Sequence, residues 1–248
     1  MDTELSKLPA HLRERPDAIR HFNRAIIDAT RDCCVAYKPN LAFYEALGAD
    51  GWPLLKDAID YIGKTHLVIA DAKRGDIGNT SRLYAEAFFN QLGADAVTVA
   101  PYMGADSVTP FTGFKDKWVV LLALTSNAGS ADFQRKTLTE PSEPLWENVL
   151  RTAQQWGTPD NLMFVVGATH PEAFARVRAL VPDHFLLVPG VGAQGGDLEG
   201  ICRHGLTKDA GLLVNASRSI IYASSGEDFA EKAREEAQRL QAAMAKLL

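Results

Sequence analysis

Seven short apolar runs constrain the fold more than any other feature of the chain: "CCVAYK" 33–38, "HLVIAD" 66–71, "AVTVA" 96–100, "WVVLLAL" 118–124, "LMFVVGA" 162–168, "FLLVPG" 185–190 and "GLLVNA" 211–216. They are apolar almost throughout rather than alternating, the pattern of strands covered on both faces. Segments of helical period separate them. In "DAIRHFNRAIIDATR" (17–31), Ile19, Phe22, Ile26 and Ala29 fall on one stripe, the core face of an amphipathic helix. "TSRLYAEAFFNQLG" (80–93) opens on capping-type Thr and Ser and closes on Gly93. Pro171 in "HPEAFARVRAL" (170–180) suits a first helical position, and residues 227–248 read as a last amphipathic helix. Strands alternating with helices predict an α/β chain built on a parallel sheet. Seven strands suit an open doubly wound sheet, whereas a (β/α)8 barrel needs eight. No linker or low-complexity segment interrupts the series, so residues 1–248 are expected to form a single domain. The longest irregular stretch, 126–144, lies inside one repeat unit, where a functional lid is expected.

Totals narrow the function. A net charge of −5 argues against broad nucleic-acid binding, but a few focused cations could still hold an anionic small molecule. Cys33, Cys34 and Cys202 show no metal-binding spacing, and Cys33 and Cys34 are expected as buried thiols in a reducing compartment. The first twenty residues lack the apolar core of a secretory signal, and no run approaches the ~20 residues of a membrane span. A cytoplasmic protein with no membrane partner is the expectation.

Polar groups gather just after the strands' C-terminal ends, where barrels and open α/β sheets alike build their sites. Lys38 follows "VAY", "DAKRGD" (71–76) follows "LVIA", "TSN" follows "LLAL", and "SRS" follows "LVNA". By the two-residue period of a strand, Asp71 and Lys73 point the same way if the strand continues through them, and Lys38 on the neighbouring strand could join them. Such a row is costly to bury unless each charge is paired. It is either a structural ion-pair network or a field preorganised for charge that develops on a substrate. The glycine-rich "PGVGAQGGD" (189–197) could cradle an anion with its N–H groups, with the Gln194 amide reaching over it. Arg218, just after the last strand, could grip two phosphate oxygens. Neither a GxxxxGK[ST] nor a GxGxxG fingerprint is present, which disfavours ATP and NAD.

"DAKRGDIGNTS" (71–81), "VPGVGAQGGD" (188–197) and "NASRSIIY" (215–222) together resemble the orotidine 5′-monophosphate decarboxylase family, type 2 branch. "AYKPNLAFYEALGADG" (36–51), "VAPYMG" (99–104) and "LALTSNAGSADFQ" (122–134) extend the resemblance over nearly the whole chain. The Asp-x-Lys-x-x-Asp motif alone is shared with metal-dependent sugar-phosphate lyases of the same superfamily. Lys38 stands where those relatives carry an acidic ligand, and an ammonium there repels Mg²⁺. The resemblance therefore implies decarboxylation of orotidine 5′-monophosphate to uridine 5′-monophosphate and CO₂, with no metal and no cofactor.

It also implies roles. Lys38 would contact the ribose and Asp71; Asp71 would sit beside the substrate carboxylate; Lys73 would protonate C6. Asp76 and Thr80 would reach across a homodimer interface. Ser126 or Asn127 would touch the pyrimidine, Pro189 would line the base pocket, and Gln194 and Arg218 would hold the phosphate. Asp2 resembles the Asp of the turn after the family's first strand. The expectation is thus a (β/α)8 TIM barrel whose first strand is missing or truncated at the N-terminus. A Mg²⁺-dependent sugar-phosphate lyase and a non-catalytic nucleotide-binding protein are the competing readings.

Overall fold

The computed structural model describes residues 1–191 and 197–248. Seven strands are present among them, hydrogen-bonded in chain order: β1 (Ala36–Tyr37), β2 (Leu67–Arg74), β3 (Ala96–Val99), β4 (Trp118–Leu124), β5 (Leu162–Val166), β6 (Leu186–Pro189) and β7 (Leu212–Asn215). Each falls in one of the seven apolar runs. The chain divides into two compact units, Met1–Ala72 with Phe88–Ala96 and Ser217–Lys246, and Lys73–Ala87 with Val97–Ala216 and Leu247–Leu248.

In the first unit β1 and β2 pair in parallel, Ala36 with Leu67 and Tyr37 with Val68, and an isolated parallel bridge joins Asn40 to Asp71. Asp95 ties the following turn to β2: its carboxylate accepts from the Val68 N–H at 3.0 Å, and its own N–H donates to the Val68 carbonyl at 2.9 Å. Of the predicted stripe, the helix Ala18–Thr30 buries Ile19, Phe22 and Ile26 and leaves Ala29 half-buried. They pack with Leu8, Leu12, Ile221, Phe229 and Ala233, bringing the helix against the C-terminal helix Phe229–Ala245. Phe22 stacks on Phe229 with centroids 5.2 Å apart.

In the second unit β4 to β7 pair in parallel. Val119, Val120, Leu121, Leu162, Phe164, Val166, Leu186 and Val188 are buried, which is why these strands read as unbroken apolar runs. The stretch 126–144 is tied down by main-chain bonds: Leu138 N–H to Glu143 O, Leu145 N–H to Lys136 O and Trp146 N–H to Gln134 O.

Local expectations differ at four places. β1 spans two residues rather than six, because Val35 stands 71% exposed and Cys33 is still bonded back to Thr30 O. Cys33 and Cys34 are half-buried rather than core thiols, and only Cys202 is buried. The helix expected from Thr80 begins at Gly78, and Ser81 is buried, donating its hydroxyl to Ser107 O instead of capping. The helix expected to start at Pro171 starts at Ala173, because residues 170–172 form the turn whose carbonyls accept from Ala173 and Phe174.

Candidate active site

In the first unit Lys38 directly follows β1. Its Nζ donates to Asp71 Oδ2 at 2.6 Å, with the two side chains only 9% and 6% exposed. Asp71 is held further by its N–H, which donates to Pro39 O at 2.9 Å. A charge pair so dry survives because each partner supplies what the other lost from water.

Met1 lies alongside this strand end. Its amine donates to Lys38 O, and its carbonyl accepts from Asn40 N–H, so it bonds as one residue of a parallel strand would. Burial lowers the amine's pKa to about 6. Asp2 follows Met1 in the chain. Asp2 O accepts from the Tyr222 hydroxyl at 2.8 Å, and its Oδ1 lies 3.6 Å from the Met1 ammonium. Arg218, exposed, opens the short helix Arg218–Ile221.

In the second unit Lys73 stands at the end of β2 with φ 48°, a left-handed backbone rare for a residue with a side chain. Such a conformation costs about 1–2 kcal/mol and persists where its surroundings over-determine it. Here the Lys73 N–H donates to Thr98 Oγ1 at 2.8 Å, and Arg74 O accepts from Ala100 N–H at 2.8 Å. The positive φ breaks the strand's alternation, so Lys73 is exposed after the buried Asp71 and Ala72. Asp76 is half-buried and accepts from the Ile77 N–H at 2.7 Å; Thr80 is exposed. Around them Ile77, Leu83, Tyr102 and Met103 stand 55%, 51%, 91% and 48% exposed.

Ser126 and Asn127 form the turn after β4, on the far side of Thr125 from the strand. Gln134 binds Thr125 through its side-chain amide, and the Thr169 hydroxyl donates to Ser126 O at 3.3 Å. Gly167 permits this approach: a Cβ there would lie 2.6 Å from Ser126 N and 2.8 Å from Ser126 Cβ. Pro189 ends β6, half-buried, its carbonyl accepting from Ala168 N–H at 2.9 Å. Gln194 and the glycine-rich segment around it lie outside the described residues. Thr98, Gln134, Gly167 and Thr169 escaped sequence reasoning. No spacing rule singles out groups that act on a neighbour's backbone.

The fold and these strand ends define a (β/α) protein of barrel class with a buried lysine–aspartate pair at its second strand. The chain belongs to the Orotidine 5'-phosphate decarboxylase / HUMPS family, whose sequence profile it matches over residues 16–233. The orotidine 5'-phosphate decarboxylase of Flavobacterium johnsoniae is 57% identical over 251 residues, covering 100% of this chain and 91% of that protein. That of Phocaeicola vulgatus is 55% identical over 253 residues, covering 100% and 92%. The structure of Leishmania donovani OMP decarboxylase superposes with a TM-score of 0.79 at 39% identity, covering 90% of this chain and 87% of that one. The Plasmodium berghei orotidine 5'-monophosphate decarboxylase superposes with a TM-score of 0.81 at 25% identity, covering 98% and 77%. The barrel class expected from the sequence is the class of these relatives.

Proposed function

We propose that this chain decarboxylates orotidine 5′-monophosphate to uridine 5′-monophosphate and CO₂, a step of pyrimidine biosynthesis, without metal or cofactor. The observation that carries the reading is the dry Lys38–Asp71 pair, with Lys73 two residues along the same strand in a strained backbone. Family membership and relatives above 50% identity with matching names support it.

The reaction breaks the bond between C6 and the carboxylate. The electron pair stays on C6, in the ring plane and outside the π system, so no electron sink is available. Stabilisation must be electrostatic, with a proton close by. In this reading Asp71 is set against the substrate carboxylate and is held there by its ion pair with Lys38. As CO₂ departs, the Lys73 ammonium faces the carbanion, gives its proton to C6, and regains one from water. An ammonium about 4 Å away contributes on the order of 4 kcal/mol at an effective dielectric near 20. Enzymes achieve about 8–23 kcal/mol, so binding of the remote groups must supply the rest. Asp2 and Thr80 are assigned to the ribose, Gln194 and Arg218 to the phosphate, Ser126 or Asn127 and Pro189 to the base.

The reading includes a homodimer in which Asp76 and Thr80 serve the neighbouring copy. The exposed Ile77, Leu83, Tyr102 and Met103 support it, since an apolar group of this size near a charged rim suits a protein interface. A cytoplasmic location belongs to the same reading; among the described residues no helix is long and apolar enough to cross a membrane.

The test is an orotidylate assay with and without EDTA. Turnover unaffected by EDTA is expected. Turnover lost to EDTA and restored by Mg²⁺ would favour a metal-dependent lyase, and tight uridine-nucleotide binding with no turnover would favour a binding protein. Sedimentation of the wild type against Ile77→Asp checks the dimer.

A further inference from the structure

The turn after β4 contains a hydrogen-bond relay with only one direction. The main-chain N–H of Thr125 can only donate, and it donates to Gln134 Oε1 at 2.7 Å. That settles which end of the Gln134 amide carries oxygen. Its Nε2 therefore donates to Thr125 Oγ1, at 2.9 Å. The Thr125 hydroxyl has one proton and two acceptors in reach, Asn127 Oδ1 at 2.6 Å and Gln134 Oε1 at 3.2 Å. Asn127 Oδ1 is the nearer acceptor, so the proton goes to Asn127. Asn127 is thus held by its oxygen, and its Nδ2 is the end left to meet a ligand. Asn127 is exposed, and although it precedes the turn Ala128–Ala131 its side chain makes no cap bond there. Thr169 and the bare backbone of Gly167 hold the adjacent Ser126 from the other side.

We propose that Gln134 is a positioning residue that sets the hydrogen-bond polarity of Asn127, so that the turn offers a donor and selects a ring carbonyl over a ring amine. This rests on the reading of Ser126–Asn127 as the base-contacting turn. An oxo-pyrimidine of the uracil type accepts at that ring position, whereas an amino-pyrimidine of the cytosine type can only donate. Donor would then face donor, leaving both desolvated and unpaired.

Gln134→Glu reverses the relay. A carboxylate still accepts from the Thr125 N–H but has no proton to give. The Thr125 hydroxyl then donates to it, and Oγ1 is free to accept from Asn127, whose amide turns its oxygen outward. The experiment measures dissociation constants of uridine 5′-monophosphate, cytidine 5′-monophosphate and ribose 5-phosphate, with melting temperatures, for wild type and variant. The wild type is expected to prefer the uridine nucleotide. In Gln134→Glu that preference should shrink about tenfold, the scale of one hydrogen bond gained or lost. Ribose 5-phosphate affinity should change by less than about twofold, since its contacts lie elsewhere. A preference unchanged in the variant, or an equal loss for all three ligands, overturns the proposal. If Gln134→Glu does not fold, Asn127→Asp, which removes the donor while keeping the shape, must show the same collapse. A wild type that turns over orotidylate yet shows no preference sinks this proposal alone. One that neither turns over orotidylate nor binds uridine 5′-monophosphate sinks the underlying reading as well.

Discussion

Lys38 and Asp71 form an ion pair at 2.6 Å in which neither side chain exposes more than a tenth of its surface. Removing Lys38 takes from the buried Asp71 a cation held at 2.6 Å. Lys38→Met is therefore expected to destabilise the fold by about 3–5 kcal/mol. The double variant with Asp71→Asn should recover much of that loss, although it is inactive. Urea denaturation of the wild type and the two variants checks this, and a single-variant loss below about 0.5 kcal/mol would contradict it.

Lys73 invites a separation of stability from activity. Lys73→Ala should lower turnover by at least about 10³-fold, at the upper end of what a positioned proton donor contributes, while nucleotide binding persists. Lys73→Gly should be equally inactive yet more stable than the alanine variant by about 1 kcal/mol, because glycine adopts φ 48° without strain. Equal melting temperatures for the two would show that the left-handed backbone stores no strain.

Gly167→Ala tests the close approach of two turns. Its Cβ would sit 2.6–2.8 Å from Ser126 backbone and side-chain atoms, so the Ser126 turn must move. A stability loss of about 1–3 kcal/mol is expected from the overpacking. KM for orotidylate should rise if that turn meets the base; a variant with wild-type KM and stability would refute both parts.

His184 should make the protein acid-sensitive. The ring is buried 5.3 Å from Phe164, and neither nitrogen has a hydrogen-bond partner among the described residues. Burial lowers its pKa below 6.5, opposed by Asp183 and assisted by Arg178. Above pH 6.5 the ring is neutral in both states and contributes no pH dependence. As pH falls below 6.5 the unfolded chain takes up the proton first, so stability is lost down to the folded pKa. His184→Phe should flatten the stability–pH curve in that window, and an unchanged slope would remove His184 from the account.

All seven strands were legible because buried parallel strands are written as continuous apolar runs, and the Lys38–Asp71 pairing was legible because Lys38 directly follows β1 and Asp71 lies on the adjacent strand β2. The rest was hidden for physical reasons. Exposure of Val35 shortened β1, and Cys33 and Cys34 went with it to a half-buried position. Lys73 carries no mark of its positive φ, since the bonds that hold it come from Thr98 and Ala100, 25 and more residues away. Ser81 looked like a cap but found a buried carbonyl instead. Gln134 sits amid polar neighbours, and nothing in its surroundings betrays that its amide is clamped.

The relay at Thr125 begins at the main chain, and this grades how substitutions at that position should fare under selection. Serine preserves both links, valine keeps the N–H but loses the hydroxyl, and proline abolishes both. A saturation library scored for growth without added uracil would then order position 125 as serine, valine, proline. Tolerance there would follow hydrogen-bond inventory, with side-chain volume counting for little.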